Sequence, residues 1–177
     1  ARQCSYCGCQ VIPTRKKSVA EDYLDHLEME IDLVAGALGP RHRLKVLHLG
    51  GGTRTYLSPD QLEPPLAALA RRFPACEGAE VSVELDPPKG ADPGRIVDRA
   101  QYCKENEVDA INVADGPRAS ARMSAQSLCV LLQNRVGVDT ILHYTCRDRN
   151  LLGIQSDLLG AYALGLGNVL AITGDPP

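Results

Sequence analysis

There is no tryptophan in this chain and only one phenylalanine, so aromatic residues make up just 4% of its 177 positions. Flat platforms for stacking nucleobases are therefore scarce. The formal net charge is -3, and Lys and Arg occur in small groups (Arg15-Lys16-Lys17, Arg41 to Lys45, Arg71-Arg72) rather than as a basic stripe. No nucleic-acid partner is expected. Long apolar runs are missing as well: nothing approaches the roughly 18 uncharged apolar residues of a spanning helix, and the polar, cysteine-rich start is unlike a signal peptide. The expectation is no membrane association and a cytoplasmic location. What remains, 44% hydrophobic and 23% charged residues, describes a chain able to bury one real core.

Along the chain, strand and helix patterns alternate. Strands are predicted near Leu44 to Leu49, Ala79 to Leu85, Asp109 to Ala114, Asp139 to His143 and Asn168 to Thr173, with starts 35, 30, 30 and 29 residues apart. Eight such units would need about 240 residues, close to the roughly 250 of a (β/α)8 barrel, and this chain holds five to six. The predicted class is α/β: a partial or rearranged (β/α)8 TIM-type barrel with about five parallel strands alternating with helices, or an open sheet of the same parts.

Local signals punctuate the helices. Leu24, Leu27, Ile31, Val34 and Leu38 recur at helical spacing, with Ser18 and Glu21 placed as a capping box and Gly39-Pro40 as the stop. Ser58 followed by Pro59 marks the next start, but Pro64-Pro65 falls inside that helix, where a kink or restart is expected. Further helices are predicted over Pro93 to Asn106, Arg118 to Arg135 and Leu151 to Leu164.

Two constellations could carry chemistry. The first is Cys4, Cys7 and Cys9 in ARQCSYCGCQ, three thiols within six positions. Thiolates this close suit a soft metal site or an iron-sulfur cluster. A zinc ribbon would need a second ligand pair, and Cys76, Cys103, Cys129 and Cys146 are scattered singly. A glycine run, Gly50-Gly51-Gly52 with Thr53, follows the first strand, where backbone can come close to a ligand; a tight turn with no ligand is the plain alternative.

These residues carry a resemblance. CSYCGC, AEDYLDHLEMEIDLV, LHLGGGTRTYLSPDQL and AEVSVELDP make residues 1 to about 83 similar to the radical S-adenosylmethionine enzymes of the oxygen-independent coproporphyrinogen III dehydrogenase type. The resemblance implies a [4Fe-4S] cluster and S-adenosylmethionine as cofactors and a porphyrinogen substrate. It makes Cys4 and Cys7 the second and third cluster ligands, with the first expected ahead of Ala1 and Cys9 non-ligating. Gly50, Gly51, Gly52 and Thr53 take the place of the glycine motif that meets the cofactor's amino group, with Arg54 where the family usually has proline.

The second constellation is Glu84 in VELDPPKG, Asp115 in NVADGP, His143 in ILHYTCRD and Asp175 in ITGDPP. Four ionisable side chains at the same end of four successive strands is the layout of a barrel active site. Each has a bland alternative: Asp115 and Asp175 could cap helices, and a lone strand-end His is usually just hydrogen-bonded.

VELDPPKGADP, DAINVADGPRASARMSA and ILHYTCRDRNLLGIQSDLLGAYALGLGNVLAITGDPP make residues 82 to 177 resemble methylenetetrahydrofolate reductase. That resemblance implies a flavin barrel in which reduced nicotinamide passes a hydride to FAD and FAD passes it to a folate. It makes Glu84 the acid that protonates the folate nitrogen, a role that calls for an apolar setting. Asp175 becomes the aspartate near the flavin, and His143 with Thr145 a flavin-contacting strand end. Ala114 and Thr173 fall where well-studied members contact the flavin with other side chains.

The two resemblances share one V-E-x-D-P strand, Ser82 to Pro87. The expected organisation is a radical-SAM-like segment over 1–83 and a reductase-like segment over 84–177, each lacking parts of its barrel. Three readings follow: a flavin-dependent oxidoreductase segment acting on a folate, a radical SAM oxidoreductase segment, or a non-catalytic chimeric α/β scaffold. Open strand edges would make a homo-oligomer the expected assembly.

Overall fold

The computed structural model describes residues 16, 18–50, 57–117 and 120–173. Five helices and five strands alternate in it: α1 Val19–Leu38, β1 Leu44–Leu49, α2 Pro59–Arg72, β2 Ala75–Leu85, α3 Gly94–Glu105, β3 Ala110–Val113, α4 Ala125–Arg135, β4 Asp139–Thr145, α5 Leu151–Ala163 and β5 Asn168–Ile172. The strands form one sheet in the order β1-β2-β3-β4-β5. Parallel strands in sequential order, each joined to the next through a helix, are the build of a partial TIM-type α/β barrel. Among the described residues no helix is long and apolar enough to cross a membrane.

The chain divides into two compact units, Ala1–Glu80 and Val81–Pro177. In the first, α1 packs on α2, and Ala20, Leu24 and Ala68 are buried. Arg72 Nε donates to Asp32 Oδ1 at 2.7 Å, joining the two helices at their exposed rim. Of the kink or restart expected at Pro64 and Pro65, the restart does not occur: α2 runs through both prolines. Each proline removes one backbone donor, but Pro65 is itself buried, so packing on this face offsets what the prolines cost the helix. The entry to α1 also differs: Ser18 already has helical angles, φ -61 and ψ -24, and its side chain makes no cap hydrogen bond. At α2 the signal is realised, with Ser58 extended and its backbone N–H donating to Gln61 Oε1 at 3.1 Å.

The second unit holds the larger core. Leu85, Ile111, Val113, Leu142 and Tyr144 from the strands meet Ala100 of α3, Leu128, Cys129 and Leu132 of α4 and Ala161 of α5. Leu128, Cys129 and Leu132 are fully buried, and their spacing is that of one helix face. Strand alternation sends the other side chains, Ser82 and Glu84 on β2, Ala110 and Asn112 on β3, Ile141 and His143 on β4, to the opposite face of the sheet.

Two boundaries depart from expectation. β2 begins at Ala75 rather than Ala79. α4 begins at Ala125, seven residues after Arg118, because the preceding residues are held elsewhere. Ser120 Oγ donates to Pro117 O, Arg122 Nη1 to Pro87 O and Met123 N to Pro88 O. The helix starts only where Ser124 Oγ accepts from Ser127 N at 3.3 Å.

Candidate functional site

Glu84, Asn112 and His143 occupy three adjacent strands on the face of the sheet turned away from the α3/α4 core. In register, Glu84 pairs with Asn112, and Asn112 pairs with Ile141, two positions before His143. His143 Nε2 and Asn112 Oδ1 lie 3.1 Å apart. A carbonyl oxygen accepts, so Nε2 carries the hydrogen and donates. Asn112 is buried at 5% exposure, whereas Glu84 and His143 are half-buried. Sequence reasoning missed Asn112. The available signal was a lone polar residue inside the strand AINV, since a buried amide demands a partner.

Asp115, just past β3, is neither a helix cap nor a loose strand-end carboxylate. Its Oδ2 accepts from both Thr145 N and Thr145 Oγ1 at 3.0 Å, and from Arg149 Nη1 at 2.7 Å. Arg149 Nη1 also donates to Thr145 O at 2.8 Å, and its Nε to Asp157 Oδ2 at 3.3 Å. The guanidinium lies 4.5 Å above the Tyr144 ring, a cation–π contact, and Tyr144 OH donates to Asp157 Oδ2 at 3.1 Å. Burial pushes the Asp115 carboxyl up, but hydrogen bonds from Arg149 and Thr145 outweigh it and hold the group below the usual carboxylate range. Burial, with the Asp157 hydrogen bond, pushes the Tyr144 phenol up.

This cluster ties the loop after β3 to the loop after β4. Nearby, Arg147 Nη2 donates to Gly116 O at 3.0 Å, and Gly116 has φ +52. A Cβ on Gly116 would lie 2.7 Å from Arg147 Nη2, so glycine serves both the backbone angle and the close approach. Beyond the end of β2, where Arg122 Nη1 meets Pro87 O, Arg122 Nε is buried with no hydrogen-bond partner among the described residues.

Of the remaining sequence-derived residues, Gly50 follows β1 directly and is exposed. Gly51, Gly52, Thr53, Asp175, Cys4 and Cys7 lie outside the described residues. Among the described residues no group of three or more His, Cys, Asp or Glu side chains could hold a metal ion. Thr145 is 1% exposed, with both its N–H and its hydroxyl on Asp115.

Comparison with known proteins points in two directions. The family model of methylenetetrahydrofolate reductase matches residues 70–177. The oxygen-independent coproporphyrinogen III oxidase of Paracoccus denitrificans is 30% identical over 164 residues, 89% of this chain and 33% of that protein. The Salmonella typhimurium enzyme of the same name is 43% identical over 84 residues, 48% of this chain and 18% of that protein. The solved coproporphyrinogen III oxidase of Escherichia coli, a radical SAM enzyme, superposes with a TM-score of 0.66 at 24% identity, covering 96% of this chain and 41% of that one. At that identity the likeness is one of fold. The chain thus spans a third or less of the length of these curated relatives. The Paracoccus likeness, at 89% of the chain, continues into the stretch matched by the reductase family.

Proposed function

The chain belongs to the methylenetetrahydrofolate reductase family through its residues 70–177, and from that premise we propose that residues 84–177 are a flavin-dependent oxidoreductase segment acting on a folate. The observation that carries this reading is the polar trio Glu84, Asn112 and His143 on one sheet face, with the 3.1 Å contact between the last two. In the proposal Glu84 gives its proton to the folate nitrogen as the ring opens, and Asp175 supports the reaction close to the flavin. A bound FAD would supply the hydride, taken from reduced nicotinamide.

Hydrogen-bond use in the site suits such a ligand. Among the described residues Arg122 Nε is a buried donor without an acceptor beside the end of Glu84's strand, and leaving it so costs about 1–3 kcal/mol. A flavin or folate edge, rich in carbonyls and ring nitrogens, would supply that acceptor. His143 offers an imidazole at the end of β4. Thr145 and Asp115 contribute by holding the two loops together.

We further propose that residues 1–83 are a radical-SAM-like segment joined to this one, and that the 177 residues carry part of each enzyme's machinery. Identity of 43% to a coproporphyrinogen III oxidase supports that reading. Cys4 and Cys7 would contribute two ligands of a [4Fe-4S] cluster, and Gly50 to Thr53 would meet S-adenosylmethionine; no step is derived for a porphyrinogen. Among the described residues β5 pairs with β4 alone, and an edge of that kind supports a homo-oligomer. A cytoplasmic location completes the proposal.

One anaerobic purification with a visible spectrum and an FAD titration tests these readings. Flavin bands without iron support the reductase reading. Iron and sulfide after reconstitution, lost in a Cys4→Ala, Cys7→Ala variant, favour the radical SAM reading, and a cooperative fold that takes up neither cofactor favours a non-catalytic scaffold.

A further inference from the structure

β3 lies between β2 and β4 in the sheet, so Asn112 stands between Glu84 on one side and His143 on the other. Its side chain is the one polar group on buried β3, whose neighbours Ile111 and Val113 are both at 0% exposure on the opposite face. A buried amide in such a strand costs stability unless its atoms are hydrogen-bonded, so its presence calls for a reason. The contact with His143 Nε2 at 3.1 Å provides one.

We propose that Asn112 is a positioning residue for the folate reduction assigned above, resting on that reading for the reaction but not for the geometry. Its Oδ1 accepts from His143 Nε2–H and fixes the imidazole in one orientation, with Nδ1 as the basic nitrogen. On its other side Asn112 is the register partner of Glu84 on β2. Asn112 thereby holds the imidazole on the sheet face that also carries the acid, without touching the reacting atoms. The same register explains why a leucine or valine, otherwise the natural residue for a buried central strand, would not serve at this position.

The test is nuclear magnetic resonance on the full 177-residue chain labelled with 15N-histidine. The expected result is a His143 Nε2–H signal protected from solvent exchange. In Asn112→Ala the exchange rate should rise at least about tenfold, the loss of one hydrogen bond. In Asn112→Asp, which keeps an acceptor oxygen in place, the protected signal should return. A residue that served packing alone would give the same His143 signal in all three proteins. If Asn112→Ala does not fold, the unaltered protein still decides: a rapidly exchanging His143 Nε2–H overturns the proposal. FAD titration of the same samples separates the two claims. A protected signal without flavin uptake would overturn the reductase reading, and with it the reaction Asn112 is proposed to serve, while leaving the Asn112–His143 hydrogen bond intact; flavin uptake with an unprotected His143 would overturn the Asn112 proposal alone.

Discussion

Arg149 Nη1 lies 2.7 Å from Asp115 Oδ2, across 34 residues of chain, and its guanidinium rests 4.5 Å above the Tyr144 ring. With Asp115 at 9% and Arg149 at 24% side-chain exposure, this is a sheltered pair rather than a surface one. Removing one partner leaves the other charge half-buried, and Arg149→Ala also takes away the cover over Tyr144. A loss of about 2–4 kcal/mol is expected, read as a lower urea midpoint with little change in slope.

The same carboxylate gives a pH signature. Asp115 has a folded pKa below its unfolded value of about 3.9, so its contribution is fully present above that value and is lost as pH falls through the lower, folded one. Urea melts of the unaltered protein and Asp115→Asn should differ at neutral pH and converge below about pH 4. A difference that persisted unchanged into strong acid would show that the carboxylate charge is not what stabilises the loops.

Glu84→Gln keeps the shape of the side chain and removes its proton donor. If Glu84 is the acid, reduction of the folate should fall by about a hundredfold or more while FAD uptake stays within about twofold of the unaltered protein. Loss of flavin binding in this variant would move Glu84 from proton transfer to cofactor contact.

Cysteine reactivity should follow burial. Burial pushes the Cys129 thiol up to about 11, and burial also raises Cys103, whereas Cys146 is exposed. Because the thiolate is the nucleophile, alkylation near pH 8 followed by peptide mapping should, among the described cysteines, modify Cys146 first and Cys129 only on unfolding. Early labelling of Cys129 would mean that α4 opens locally under native conditions.

The prolines of α2 make the last prediction. Pro64 is exposed in the helix interior, so Pro64→Ala should restore a backbone hydrogen bond and raise stability by up to about 3 kcal/mol. Pro65 is buried, and Pro65→Ala should yield less because packing is lost at the same time. The measurement is the urea midpoint of each variant.

Much of this fold was legible because its signals are local. The five strands fall where apolar runs are bounded by turn residues, and α5 starts at Leu151 as expected, with Asn150 Oδ1 accepting from Gly153 N at 2.8 Å. Expectations failed where a distant partner overrides local preference. The α4 start moved because Arg122 and Met123 bond to carbonyls of Pro87 and Pro88, more than thirty residues away. The prolines of α2 predict a kink or a restart because their cost is local, and the packing that accompanies the unbroken helix is not.

The site divides the same way. Glu84, Asp115 and His143 could be picked out because ionisable side chains recur at the ends of successive strands, a pattern written in chain order. By itself, then, the sequence determined the alternation of strand and helix and the end of the sheet where chemistry would gather. Only the tertiary structure decided which of those side chains meet. Register put Asn112 between Glu84 and His143, and the adjacency of β3 and β4 brought Arg149 onto Asp115. Periodicity and capping act over a few residues, whereas hydrogen bonds and charges act across whatever distance in sequence the sheet closes.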